Sequence, residues 1–179
     1  MIDYTVKELT INDLFPNLLL HFNRYQEVKR CLLKENAKWV LKDISFTEQW
    51  DETQKEEIVA VDFTDCLNSG DVILGVFDNN KLIAFSCLAS DFFGSDNQYL
   101  QLMQLHTSYE YRNKGIGKIL FKMCAEKAKN MGAKKLYIST HSSEESQLFY
   151  EKIGCTDAQE ISIKLAKLEP YDRQMEFVV

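Results

Sequence analysis

Between Tyr99 and Met131 the chain reads as a strand, a basic loop with two glycines and an amphipathic helix, and no other feature constrains it as much. The strand is "YLQLMQLHT" (Tyr99–Thr107), and the loop and helix start are "YRNKGIGKILF" (Tyr111–Phe121). From Gly115 onward Ile116, Ile119, Leu120, Met123, Cys124, Ala128 and Met131 recur at helical spacing, and Gly132 supplies a stop. Lys118, Lys122 and Lys129 fall on the other side. A helix begins with backbone N–H groups that lack internal partners and with the positive end of its dipole. A loop turning straight into one can therefore cradle a phosphate. Glycine lets the backbone approach closely, and Arg112, Lys114 and Lys118 add charge around the anion. The stretch reads as a pyrophosphate site.

The charge distribution agrees with this. Residues 1–111 carry nine Lys/Arg against eighteen Asp/Glu, residues 112–135 carry eight against one, and residues 136–179 four against eight. Positive charge is thus concentrated at the loop and its helix, while the net charge of −6 argues against a general nucleic-acid binder. At 179 residues, 45% hydrophobic, one domain is expected over 1–179. No window is apolar enough for a membrane span, and the N-terminus lacks a basic region followed by an apolar one, so a soluble, cytoplasmic protein is expected. Cys31, Cys66, Cys87, Cys124 and Cys155 are odd in number and never paired as CxxC. Reduced, buried thiols are expected, with neither a disulfide framework nor a metal site.

The remaining elements follow from periodicity and turn chemistry. A first strand is expected over Asp3–Leu9, then a helix in "INDLFPNLLLHFN" with Pro16 in its first turn. "EVKRCLLKENAKWVLKDI" predicts a hairpin around Glu35-Asn36. "DETQKEEIVAVDFTDCLNSG" has acid first and glycine last, the order a helix prefers. "VILGVFDNNKLIAFSCLA" is the clearest hairpin, turning at Asp78-Asn79-Asn80. "KKLYIST" predicts a strand, and "SSEESQLFYEKIG" a helix with a Ser142/Glu145 capping box and a Gly154 cap. A short helix to Leu168 and a strand over Arg173–Val179 close the chain.

Spacing narrows the phosphate ligand. A dinucleotide fingerprint needs a third glycine where Leu120 stands, and a P-loop needs four residues between its glycines where one intervenes. The pattern Arg-x-x-Gly-x-Gly after a strand instead resembles the acetyl-coenzyme A loop of the GNAT superfamily of N-acetyltransferases. That family's second motif, an aromatic pair and a glycine on a later helix, has its counterpart in "LFYEKIGC" (Leu148–Cys155). The resemblance runs from Tyr99 to the C-terminus. It implies an α/β (α+β) fold with a mixed, mostly antiparallel central sheet flanked by helices, and a V-shaped splay between the parallel strands Gln101–Thr107 and Lys135–Thr140. Residues 71–179 would form the acetyl-CoA-binding core and residues 1–70 the acceptor side.

By the same resemblance, Leu105 and Thr107 would offer backbone groups to the pantetheine arm. The amides of Asn113, Lys114, Gly115, Ile116, Gly117 and Lys118 would receive the pyrophosphate beside Arg112. Ser143 and Ser146 stand where many members have asparagine and alanine, and both are small enough to leave the site open. Tyr150 would protonate the departing thiolate of coenzyme A. A general base is often a carboxylate or histidine on the strand before the loop, yet Gln101 and Met103, expected to face inward, cannot accept a proton. His106 and His141 are the nearby titratable alternatives, with Glu57 or Asp62 reached through water as another route. The acidic first half, with Trp39, Trp50, Tyr25, Phe92 and Phe93, suits a cationic amine. The expected activity is acetyl transfer from acetyl-CoA to a primary amine of a small molecule, with protein or peptide acetylation, or non-catalytic acetyl-CoA sensing, as alternatives. Relatives frequently form homodimers.

Overall fold

Two asparagines start the main sheet. In the computed structural model, which describes residues 4–179, β4 (Val72–Asp78) and β5 (Lys81–Leu88) pair through a two-residue turn, Asn79 and Asn80, both at positive φ (47° and 64°). Such a turn matches the right-handed twist of the strands, and asparagine tolerates the left-handed region. The same geometry at Asn36-Ala37 closes β2 (Gln26–Glu35) on β3 (Lys38–Glu48), one residue later than expected.

The sheet then grows outward. β1 (Thr5–Glu8), β6 (Tyr99–Thr107), β7 (Lys135–Thr140), β8 (Thr156–Asp157) and β9 (Arg173–Val178) complete the order β1-β4-β5-β6-β7-β9-β8. Every pairing is antiparallel except β6 with β7. Asp3 lies outside the described residues. β2 and β3 form a separate two-stranded ribbon. On one face of the sheet, α3 (Ile116–Met131) buries Leu120, Phe121, Cys124 and Ala128 against Leu74, Leu100, Leu102 and Leu136. On the other, Ile73, Leu82 and Phe85 pack against Leu18, Leu19, Phe22, Val59 and Phe63. All five cysteines are buried and unpaired.

The segment after β1 departs from expectation. Instead of a helix through Asn23, a 3-10 turn (Ile11–Asp13) is followed by three-residue closures, Leu18 N–H to Phe15 O, Leu20 N–H to Asn17 O and Phe22 N–H to Leu19 O. Pro16 would suit the first turn of a helix, but the chain that follows it closes through these tight turns instead. The turns still bury Leu18, Leu19 and Phe22. The acid-first segment is helical but changes pitch: α1 (Glu52–Glu57), a π-helix (Ile58–Phe63) and α2 (Thr64–Asn68). Asp51 and Gln54 cap it reciprocally at 2.8 and 2.9 Å. α4 (Glu144–Lys152) is capped by Ser143, not Ser142. The Ser142 carbonyl instead accepts from Leu32 N–H, and that bond ties the ribbon to the sheet. α5 (Ile163–Leu168) falls where expected, whereas β8 was too short to be visible in the sequence.

β9 anchors the far half through a buried carboxylate. Glu176, 4% exposed, accepts from the Tyr99 hydroxyl at 2.5 Å, from Lys135 Nζ at 2.7 Å and from the Gln159 amide at 3.0 Å. Three donors offset the desolvation of one buried charge.

Candidate active site

β6 and β7 pair through only three residues each, Tyr99–Gln101 with Lys135–Tyr137. Beyond them the strands part, so the V-shaped gap starts at Leu102 rather than Gln101. A β-bulge sets what faces it. Cys87 pairs with Gln104 and Leu88 with Leu102, which leaves Met103 as the extra residue on β6. A bulge changes the alternation of side chains along a strand. After it, Leu105 packs with the α3 layer and Thr107 approaches Gly117, whereas His106 turns to the opposite face against Trp50 and Phe85, with ring centroids 5.1 and 5.3 Å away. Of the two residues expected to face inward, Met103 lines the gap, whereas Gln101 lies in the paired stretch opposite Tyr137 and is not part of its wall.

At the end of β6 the backbone forms a cradle. Asn113 and Gly115 both have positive φ (59° and 82°), and the first helical hydrogen bond is Ile119 N–H to Gly115 O at 3.1 Å. The amides of Ile116, Gly117 and Lys118 precede it and stay open, at the positive end of a 16-residue helix. A Cβ on Gly117 would stand between Thr107 and Phe149, 3.5 and 3.6 Å away, so glycine keeps open the passage between β6 and α4. This arrangement fits an extended thiol arm ending in a pyrophosphate.

A cavity of about 610 Å³ follows the gap, and Leu105, Thr107, Arg112, Asn113, Gly115, Ile116, Gly117, Lys118, Ser146, Tyr150 and His106 all contribute to its wall. Two expected residues do not. Lys114 lies outside, its ammonium over the Tyr111 ring at 5.1 Å. Ser143 is used as the α4 cap and donates to Ser146 Oγ at 2.8 Å. Arg112, on the wall, also pins the loop to the strand end: its Nε donates to the Thr107 carbonyl at 3.0 Å and its guanidinium lies over Tyr109.

Tyr150 packs against Phe121 and Phe149. Burial, with Cys155 and Cys124 nearby, pushes its phenol well above the ordinary value, so it stays protonated and available as a donor. His106 does not match the premise on which it was chosen. Burial first, then the charges of Arg24 and Arg112, hold it down to about 3, so the ring is neutral near neutral pH and a weak base. His141 is placed differently. Its Nδ1 accepts from Ser143 N–H at 3.2 Å and its Nε2 faces Glu48 Oε1 at 3.4 Å.

Three residues of the wall were not singled out from the sequence. Arg24, Gln26 and Glu48 enter the wall from the ribbon and the segment before it. Arg24 donates to Gln26 Oε1 at 3.0 Å and to Glu48 Oε2 at 2.9 Å, and lies over Trp50. Chiefly through His141, and also through Arg24, the Glu48 carboxyl is held down to about 2. No local signal marks these residues. The acidic cluster Asp51, Glu52, Glu56 and Glu57, in contrast, lies exposed around α1 and is not part of the wall. Among the described residues no His/Cys/Asp/Glu group could hold a metal, and no helix is long and apolar enough to cross a membrane.

A splayed parallel pair, a bulged strand, a cradle of free amides and a half-buried tyrosine define an acetyl-CoA-dependent acyltransferase. The chain belongs to the acetyltransferase (GNAT) family, whose model matches residues 37–155. A search of curated proteins finds no match. Among solved structures, the chain is similar to a putative streptothricin acetyltransferase from Bacillus anthracis in complex with acetyl coenzyme A, with a TM-score of 0.73, 19% identity and 99% and 98% of the two chains covered. It is likewise similar to nourseothricin acetyltransferase (TM-score 0.71, 12% identity, 98% of each chain). A third neighbour is the PaiA N-acetyltransferase from Thermoplasma acidophilum in complex with coenzyme A (TM-score 0.61, 19% identity, 99% of each chain).

Proposed function

We propose that the protein transfers acetyl from acetyl-CoA directly to a primary amine of a small molecule. The observation that carries this reading is one continuous cavity that joins the amide cradle, the gap between β6 and β7, Tyr150 and a polar chamber beside the ribbon. The free amides from Ile116 to Lys118 hold the pyrophosphate, and Leu105 and Thr107 align the pantetheine arm. Bound acetyl-CoA supplies the thioester. Tyr150 donates its proton to the sulfur as the C–S bond breaks. The acceptor ammonium loses one proton before its nitrogen attacks and another afterwards. One is matched by the proton delivered to sulfur, and the other goes to solvent.

The roof over the acceptor side favours a small molecule over a peptide. Leu32 N–H donates to Ser142 O at 2.8 Å, Gln147 Nε2 to Leu32 O at 3.1 Å, and Arg30 grips Glu144 through two bonds of 2.9 and 3.0 Å. A peptide acceptor needs an open groove where this ribbon is docked. The structural neighbours named for streptothricin and nourseothricin, and an aminoglycoside 6'-N-acetyltransferase of similar fold, make antibiotic amines sensible members of a test panel.

Coenzyme A release by the purified protein, measured over a panel of primary amines, tests the reading. Turnover that falls about 10²-fold or more in Tyr150→Phe, with acetyl-CoA affinity retained, is expected. Acetyl-CoA binding without release of coenzyme for any amine would sink it and favour a sensor.

A further inference from the structure

We propose that Glu48 is the anchor for the acceptor's ammonium group, and that Arg24 and His141 are positioning residues that fix its carboxylate. This deepens the amine-acetyltransferase reading above and rests on it.

Glu48 stands at the end of β3 on the cavity wall, its side chain 35% exposed. One oxygen accepts from Arg24 Nη2 and the other faces His141 Nε2. A carboxylate offers about four lone-pair sites, so each oxygen keeps one acceptor site that neither neighbour occupies. Neither neighbour is free to swing. Arg24 is 88% buried, since its side-chain exposure is 12%, and is held by Gln26 and by the Trp50 ring. The Ser143 amide donates to His141 Nδ1, and the Phe46 ring lies edge-on at 5.9 Å. With Nδ1 accepting, the neutral imidazole carries its proton on Nε2 and points it at Glu48. His141 thereby orients the carboxylate instead of competing for the acceptor's proton.

The chemistry of the wall favours this residue over its neighbours. Glu145, the other carboxylate of the wall, also borders a second recess of about 440 Å³ with Arg112 and Asn113, on the side of the phosphate loop. His106 is neutral and Gln104 is uncharged. Glu48 remains ionised far below neutral pH, so it pairs with an ammonium without keeping the proton. It is an anchor, not a general base. Because Arg24 already offsets most of its charge, the site offers one directional ion pair to a single ammonium, not a broad field for a polycation. The substrate class is a small molecule that presents one primary alkylammonium.

The test uses the protein loaded with coenzyme A and n-propylammonium as the probe, with n-propanol as its uncharged counterpart. Binding is followed by ligand-observed NMR in wild type, Glu48→Gln and Glu48→Asp, and acetyl-CoA affinity is measured by calorimetry in each. Expected are saturable binding of propylammonium but not propanol, a loss of about tenfold or more in Glu48→Gln, an intermediate loss in Glu48→Asp, and unchanged acetyl-CoA affinity. With an amine that turns over, Glu48→Gln should raise KM more than it lowers kcat. Equal propylammonium affinity in wild type and Glu48→Gln overturns the assignment, as does the absence of binding to coenzyme-loaded wild type. Failure of the acetyltransferase reading is separate and shows as acetyl-CoA bound without turnover of any amine. Should Glu48→Gln fold poorly, Glu48→Asp binding like wild type would also overturn the proposal.

Discussion

His106 makes the stability of this protein depend on pH in a way that can be measured one residue at a time. In the unfolded chain the imidazole titrates near its ordinary 6.5, whereas the folded site holds it at about 3, through burial first and then Arg24 and Arg112. The folded state therefore binds fewer protons. This histidine's contribution is complete above 6.5 and is lost as pH falls from there toward 3. At about pH 5 the unfolded imidazole is almost fully protonated and the folded one is not, so the loss is about 1.5 pH units, or about 2 kcal/mol. Urea unfolding of wild type and His106→Gln at about pH 7.5, 6 and 5 isolates this contribution, because His21, His141 and the carboxylates contribute to both proteins alike. Wild type should lose about 2 kcal/mol more than the variant between about pH 7.5 and 5. Identical pH dependence in the two proteins, or an imidazole resonance titrating near its ordinary value in the folded state, would refute the reasoning.

Gly117→Ala should fold and bind acetyl-CoA within a few-fold of wild type, since its Cβ meets Thr107 and Phe149 at ordinary contact distances of 3.5 and 3.6 Å. Gly117→Val extends further into the same passage, and calorimetry should show binding lost; retained affinity would remove the thiol arm from that path. Glu176→Ala leaves the Tyr99 hydroxyl without its acceptor and Lys135 with Gln159 Oε1 alone, and urea unfolding should show a loss of about 3–5 kcal/mol. A loss below about 1 kcal/mol would mean that water replaces the carboxylate.

The cradle was legible because its physics is local. Left-handed backbone at Asn113 and Gly115, open first-turn amides and the apolar stripe of α3 all depend on residues within a few positions of one another. The same holds for the turn at Asn79-Asn80. The helix expected with Pro16 in its first turn failed because burial of Leu18, Leu19 and Phe22 is satisfied equally well by tight turns, and apolar spacing alone does not distinguish them.

By itself, then, the sequence determined the order of strand, phosphate loop and helix, and with it the acyl donor, through bonds and spacings that close within a turn or two. Only the tertiary structure decided the end of the cavity beside the ribbon. The bulge at Met103 is visible only against its partner strand β5, and it sends His106 to a face where burial and two arginines strip it of basicity. Arg24 and Glu48 lie 24 residues apart and meet His141 only when the ribbon docks on the start of α4. Partners so distant leave no periodicity in the chain, because their electrostatics exist only once folding has excluded water from between them.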